Sequence, residues 1–144
     1  MLVSQILKMK PELGVISIKP SETVVEATRL MSENRIGTVV VSKDGDSLDG
    51  ILSERDIVRE LGKRGAACLT DPVRDMMTAK LVTCSPSDSA LKALEMMTEG
   101  RFRHLPVLDN GKMVGLISIG DAVKARLEQL AMEKESLEGM IMGH

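Results

Sequence analysis

Two kinds of hydrophobic pattern alternate along this chain. Short apolar runs rich in β-branched residues occur at positions 15–18, 37–41 and 81–84, and such runs predict buried strands. Apolar residues also recur every three or four positions over residues 24–31 and again over residues 91–97, which predicts amphipathic helices. The pattern therefore predicts small α/β units in which strands and helices alternate.

The chain contains an internal repeat. When Pro20 is placed against Pro86, the helical segments that follow them align, and after a one-residue gap residues 50–59 align with residues 115–124. Identical pairs are Ala27/Ala93, Met31/Met97, Glu33/Glu99, Arg35/Arg101, Val41/Val107, Gly45/Gly111, Gly50/Gly115, Ser53/Ser118, Asp56/Asp121 and Val58/Val123. Two copies are too few for a solenoid, which needs at least about three repeats, so a pseudo-twofold pair of modules is expected.

Each copy predicts the element order β-α-β-β-α. The strands are expected at 15–18, 37–41 and 48–52 in copy one and at 81–84, 104–108 and 113–117 in copy two. Ser21 and Ser87 predict the N-caps of the first helices. Asn34 and Gly100 tolerate the left-handed conformation and predict where these helices end.

The remaining elements are placed by turn and cap residues. Hairpin turn signals lie at residues 43–45 and 109–111. Asp56 and Asp121 are expected to open the second helix of each copy. A short helix is predicted at residues 73–77, before copy two, and residues 3–9 look like its counterpart before copy one.

The composition removes several classes of partner. With no Trp, no Tyr and one Phe among 144 residues, the chain lacks the aromatic platforms on which RNA and single-strand binders stack bases. A net charge of -2 supplies no broad positive surface for phosphate backbones. No apolar run approaches the roughly 20 residues that cross a bilayer, and the first nine residues lack a leader pattern. Neither nucleic acid nor a membrane is expected as a partner.

Catalytic and metal motifs are missing from the sequence. The only histidines are His104 and His144, and neither GxxxxGK[ST] nor GxGxxG occurs, so no catalytic residue is assigned and no enzyme is expected. The acidic loop at 44–49 lacks the Glu that closes a calcium loop, so no metal is expected. Cys68 and Cys84 lack CxxC spacing and predict reduced thiols in a cytoplasmic protein.

The residues that carry the repeat resemble a known family. Residues 50–56 and 115–121 share a G-h-h-S-x-x-D pattern, where h is hydrophobic, and each follows a strand, RIGTVVV or RFRHLPVL. Together they resemble a tandem pair of cystathionine β-synthase-type (CBS) domains, a Bateman module. The resemblance implies an α/β (α+β) fold of two pseudo-twofold modules packed through their sheets. The implied segments are domain 1 at 1–65, domain 2 at 66–125, and a C-terminal helix with a frayed end at 126–144.

The resemblance also implies a ligand. CBS pairs commonly bind adenosine compounds, namely AMP, ADP, ATP, S-adenosylmethionine or NAD(H), in clefts between the packed sheets. By resemblance, the adenine slot is lined by strand residues in both copies. These are Ile16, Ser17, Ile18, Thr38, Val39 and Val40 in copy one, and Val82, Thr83, Cys84, His104, Leu105 and Pro106 in copy two.

The Ser-x-x-Asp pattern allows two interpretations. In the first, Asp56 and Asp121 each accept both hydroxyl hydrogens of a ribose, while Ser53 and Ser118 donate to a phosphate at a helix start. In the second, each Ser-Asp pair is only a capping box that satisfies backbone donors. The spacing alone leaves both open, and the family resemblance favours ribose contact.

Basic residues differ between the copies. Arg55, Arg103 and His104 lie on the motif segments and are candidate phosphate contacts. Their counterparts are Gly120, Gly37 and Thr38. Because the linings differ, we expect two sites of different affinity. A further hypothesis is that one site holds AMP and the other a longer molecule such as NAD(H). Arg35 and Arg101 are equally well explained as solvated helix ends.

A long C-terminal helix is predicted over residues 121–140. Its apolar residues fall at alternating spacings of four and three, at Val123, Leu127, Leu130, Leu137 and Ile141, with Lys134 interrupting them. This stripe favours a homodimer contact, and the alternative is that it covers the protein's own core. Gly139, Gly143 and His144 are expected to fray.

The sequence thus predicts a regulatory module that binds an adenosine nucleotide and transmits ligand state to a target enzyme or through its dimer. The alternative is a structural dimerisation adaptor with no ligand.

Overall fold

The computed structural model describes residues 1–10 and 15–141. It is a mixed α/β fold with two small sheets and an extended C-terminal helix, which confirms the predicted fold class. The elements are α1 (Val3–Met9), β1 (Ser17–Ile18), α2 (Val24–Asn34), β2 (Thr38–Val41), β3 (Gly50–Ser53), α3 (Glu54–Arg64), 3₁₀ helices at Gly65–Thr70 and Val73–Asp75, α4 (Ala90–Gly100), β4 (His104–Asp109), β5 (Lys112–Ser118) and α5 (Ile119–Ile141).

The first sheet has the order β1-β2-β3. Strands β1 and β2 are parallel, with Ser17 opposite Val40, and β2 and β3 are antiparallel, with Val39 opposite Leu52. All four residues of β2 are buried. Such a strand needs apolar side chains on both faces, and the TVVV run supplies them nearly throughout.

Among the described residues, the second sheet consists of β4 and β5 alone, so the prediction of a strand at 81–84 is wrong. Only Cys84 pairs there, in an isolated parallel bridge to Val107. In copy one, the backbone N–H of Val40 donates to the Ile16 carbonyl. The equivalent donor in copy two would be Pro106, which has no N–H, so the ladder cannot extend past Cys84.

The chain divides into two compact units that interleave along the sequence. The first unit takes the described residues within Leu13–Val82 and Asp109–Val114, and the second takes those within Met1–Glu12, Thr83–Leu108 and Gly115–His144. Helix α1 precedes copy one but contributes Val3 and Ile6 to the core of the second unit. The 3₁₀ helix before copy two contributes Val73 to the core of the first unit. Each core thus includes the helical segment that precedes the other copy.

The first helices begin two residues later than predicted. Their N-caps are Thr23, whose hydroxyl accepts from the backbone N–H of Glu26, and Ser89, whose hydroxyl accepts from that of Lys92. Ser21 and Ser87 fall instead in the turns after the prolines, because those turns close by backbone hydrogen bonds from residue 22 to residue 19 and from residue 88 to residue 85.

The helix ends follow the prediction closely. Helices α2 and α4 end at Asn34 and Gly100, but the left-handed residues are the arginines that follow, Arg35 with φ 53° and Arg101 with φ 56°. Gly139 lies inside α5 and so does not fray. Residues 143 and 144 lie outside the described part of the chain.

The remaining boundaries differ slightly. The predicted turn at 109–111 is tight, with Asn110 and Gly111 both at positive φ. The turn signal at 43–45 opens a longer loop, because β3 begins only at Gly50. Asp44 shapes this loop by accepting backbone hydrogen bonds from Asp46 and Ser47, and these bonds lower its pKa to about 2.

Candidate functional site

In copy one, the strand-to-helix junction is a complete capping box. Strand β3 ends at Ser53 and α3 begins at the next residue. The Ser53 hydroxyl accepts a 3.2 Å hydrogen bond from the backbone N–H of Asp56, and the Asp56 carboxylate accepts a 3.0 Å bond from the backbone N–H of Ser53. The other carboxylate oxygen accepts from the Arg59 guanidinium at 2.9 Å. Asp56 is also buried, and these bonds hold its carboxylate in a fixed position.

In copy two, the same junction has an additional partner from far away in the sequence. Ser118 and Asp121 exchange the equivalent bonds at 3.0 and 2.8 Å. The Lys10 ammonium, just after α1, donates to Asp121 Oδ2 and to the Leu116 carbonyl, each at 2.8 Å. Burial disfavours the charged form of Asp121, but the hydrogen bonds from Lys10 and Ser118 outweigh it and hold its pKa below the ordinary value.

These contacts confirm capping in both copies. They also correct one detail, since Asp56 and Asp121 occupy the third position of their helices rather than opening them. In each copy the first helical N–H is bonded back to the preceding strand region, from Glu54 to the Gly37 carbonyl and from Ile119 to the Arg103 carbonyl, both at 2.8 Å. The two junctions therefore have the same backbone geometry.

The copy-one residues predicted to line the adenine slot lie side by side in the first sheet. Ser17 is opposite Val40, and Thr38 is opposite Ser53. Ile18, Val39, Val40 and Thr38 are buried. This apolar set therefore lies next to the strand that ends at the capping box.

The copy-two residues predicted to line the adenine slot are brought together less completely. The backbone N–H of Cys84 donates to the Pro106 carbonyl at 3.0 Å, and Leu105 is buried beside Pro106. Thr83 is half-buried, whereas Val82 is 49% exposed and falls in the first unit. Burial, reinforced by the nearby Asp88 carboxylate, raises the pKa of the Cys84 thiol to about 11, which fits a core role for this cysteine.

The basic candidates lie at the surface. Arg55 and Arg103 are exposed, and His104 is half-buried at the start of β4. The cations that contact the two aspartates are instead Arg59 and Lys10, which the sequence analysis missed. The i,i+3 spacing from Asp56 on a helix is a signal for Arg59. Lys10 carries no such local signal, since it contacts Asp121 only through the packing of α1 in the second unit.

Comparison with known proteins now decides the family. The sequence model of the CBS domain matches residues 3–63 and 73–128. The chain belongs to the CBS-domain family.

Individual CBS proteins agree with this assignment. The CBS domain-containing protein CBSX3, mitochondrial, of Arabidopsis thaliana is 36% identical over 126 residues, which are 85% of this chain and 61% of that protein. The chain thus spans under two thirds of that relative. The crystal structure of the CBS-domain containing protein ATU1752 from Agrobacterium tumefaciens has a TM-score of 0.81 and 39% identity, covering 87% of this chain and 92% of that one.

A ligand complex is among the similar structures. The crystal structure of CBSX2 in complex with AMP has a TM-score of 0.74 and 30% identity to this CBS pair, covering 88% of this chain and 96% of that one. Among residues 1–10 and 15–141, no helix is long and apolar enough to cross a bilayer.

Proposed function

We propose that this CBS pair is a regulatory module that binds an adenosine nucleotide such as AMP, ADP, ATP or NAD(H) and carries out no chemistry itself. One observation carries the proposal: both copies place a fixed carboxylate, Asp56 or Asp121, at the junction where a strand enters a helix. The AMP complex of the similar protein CBSX2 supports the choice of ligand class.

Different residues are proposed to contact the ribose, the phosphate and the base of the nucleotide. Asp56 and Asp121 accept the hydroxyl hydrogens of the ribose. In copy one, Ser53 and Arg55 contact the phosphate, and in copy two Ser118, Arg103 and His104 do so. With a single Phe in the chain, the base is held by aliphatic faces and backbone edges of the strand residues predicted to line the adenine slot.

The two copies are proposed to differ in affinity. Arg55 corresponds to Gly120, and Arg103 corresponds to Gly37. Each copy therefore has one arginine that the other lacks: in copy one it lies at the start of α3, and in copy two it lies just before β4. A bidentate guanidinium recognises phosphate more specifically than a backbone edge. Binding shifts packing in the chain or in a homodimer, and a target senses that shift through its differential affinity for the two states.

A structural adaptor without a ligand is the second candidate. One observation favours it: Asp56 and Asp121 are both engaged in capping boxes and ion pairs within the chain. These contacts alone are sufficient to explain why a carboxylate occupies each position. For either candidate, the free, buried Cys68 and Cys84 support a reducing compartment such as the cytoplasm.

Thermal unfolding with AMP, ADP, ATP, NAD, NADH and S-adenosylmethionine separates the two candidates. A ligand at about 100 times its dissociation constant stabilises a protein by about 2.7 kcal/mol. The sensor predicts a rise in melting temperature with at least one compound. It also predicts that the rise is reduced in Asp56→Asn or Asp121→Asn, which keep the side-chain shape but remove the charge.

Asp88→Asn is the matched control. Asp88 accepts from the backbone N–H of Ser85 at 2.8 Å and pairs with Lys92 at 3.1 Å, so it resembles the two motif aspartates but lies outside the proposed site. This variant should lose stability yet keep the ligand response. Absence of any shift in the wild-type chain would favour the adaptor, and an unchanged shift in both motif variants would reject the ribose contacts.

A further inference from the structure

Lys10 occupies one of the positions on Asp121 that a ribose would need. Its ammonium donates to Asp121 Oδ2 at 2.8 Å, and the backbone N–H of Ser118 donates to the same oxygen at 2.8 Å. A carboxylate oxygen accepts about two hydrogen bonds. Both acceptor positions on Oδ2 are therefore taken from within the chain.

The packing of α1 holds Lys10 in this place. Ile6 is buried in the core of the second unit, and Leu7 packs so closely on β5 that a Cβ added to Gly115 would lie 2.5 Å from the Leu7 Cδ2 atom. Lys10 follows this helix and donates a second 2.8 Å bond to the Leu116 carbonyl. The ammonium is therefore tethered beside the carboxylate, where it acts at a high effective concentration.

The carboxylate of copy one is easier for a ribose to reach. The two donors to Asp56 Oδ2 are the backbone N–H and the hydroxyl of Ser53, both at 3.0 Å, and that hydroxyl can rotate to another acceptor such as a phosphate. The Arg59 guanidinium lies on Oδ1, which has capacity for a second donor. A ribose thus displaces a neutral hydroxyl in copy one but a tethered ammonium in copy two.

We propose that Lys10 is a specificity-determining residue of copy two, where it competes with the ribose hydroxyls for Asp121 and lowers the affinity for nucleotide. This role rests on the proposed function, since Asp121 is the ribose contact there. It is exerted by a residue that precedes both copies of the repeat. By linkage, a nucleotide that fills copy two must displace Lys10.

Titration calorimetry of the full chain with AMP tests this role. Asp56→Asn weakens copy one, so the binding that remains reports on copy two. Adding Lys10→Met to that variant removes the ammonium but keeps a side chain of similar length. This change should raise the AMP association constant about fivefold, which is the strength of a partly exposed ion pair. Lys92→Met in the same background is the matched control, because its pair with Asp88 lies outside the proposed site, and it should leave the association constant unchanged.

Adenosine distinguishes competition for the ribose from a contact with the phosphate. If Lys10 competes with the ribose, Lys10→Met should raise the affinity for adenosine by the same factor as the affinity for AMP. A lysine that contacts the phosphate would give a loss of AMP affinity, with the affinity for adenosine unchanged. A lysine that only supports the fold predicts no gain with either compound, and circular dichroism checks that the variants stay folded.

The failure of this role can be told apart from a failure of the proposed function. If the wild-type chain binds AMP but Lys10→Met leaves the affinity of copy two unchanged or lowers it, the role of Lys10 is overturned and the proposed function stands. A gain with AMP that is absent with adenosine would also overturn it. Absence of AMP binding in the wild-type chain and in every variant would overturn both.

Discussion

Asp121 and Asp56 occupy equivalent positions but are held by different cations. Asp56 pairs with Arg59 on its own helix, whereas Asp121 pairs with Lys10, which is 111 residues away in the sequence. The side chains of Lys10 and Asp121 are only 36% and 26% exposed. The Lys10 contact therefore fastens the end of α1 to the start of α5.

The lowered pKa of Asp121 makes this contact dependent on pH. The folded-state pKa of Asp121 lies below the ordinary value of 3.8. The ionised carboxylate therefore stabilises the fold at any pH above about 3.8, and this contribution is lost as the pH falls through the folded-state pKa. Lys10→Met should cost about 1 kcal/mol at pH 7. The cost should begin to shrink as the pH falls below about 5, and below the folded-state pKa only the lost bond to the Leu116 carbonyl should remain.

Urea unfolding at several pH values measures this difference. Lys92→Met is the control, since Lys92 forms a similar ion pair with Asp88 but is 59% exposed, so its loss should cost little at any pH. A Lys10→Met cost that stays constant from pH 7 to about pH 1 would show that the carboxylate contributes nothing to the contact.

Among the elements, the ends of α2 and α4 contain stored backbone strain. Arg35 and Arg101 adopt the left-handed conformation, in which the Cβ of an L-residue crowds the backbone. Glycine at either position removes that contact. Arg35→Gly should therefore stabilise the chain by about 1 kcal/mol.

Arg35→Ala separates the backbone effect from loss of the charged side chain. Alanine keeps the Cβ, so it should give no gain, and chemical denaturation of the two variants compares them directly. Equal stability of the glycine and alanine variants would mean that the left-handed conformation carries no strain there.

The helices and strands also show which features of the fold can be predicted from sequence patterns. Helix periodicity predicted α2, α4 and α5, and the Ser-x-x-Asp spacing indicated both capping boxes as one of its two interpretations. Local patterns failed where a partner decides the outcome. The apolar run at 81–84 does not form a strand because its neighbour is Pro106, and the contact between Lys10 and Asp121 depends on α1 packing beyond copy one.

At the scale of the whole molecule, the hydrophobic core of each unit includes a short helical segment that precedes the other copy of the repeat. Ile6 of α1 is in the second core and Val73 is in the first. Ile6→Ala should remove about 2–5 kcal/mol from the second unit. Hydrogen exchange should then rise across α4 and β4, while β2 stays protected.

Val73→Ala is the reciprocal variant. It should loosen β2 and α2 while α4 stays protected. Uniform loss of protection in both variants would mean that the two units unfold together and would contradict separate cores.

Binding of an adenosine nucleotide by both copies is tested most directly by titration calorimetry of the wild-type chain with AMP. We expect saturable binding in two steps of different affinity, because Arg55 and Arg103 have glycine counterparts in the other copy. Asp56→Asn should weaken one step and Asp121→Asn the other. Two identical sites would contradict the difference between the copies, and absence of binding heat at several temperatures, with AMP and then with each of the other adenosine compounds, would contradict the sensor itself.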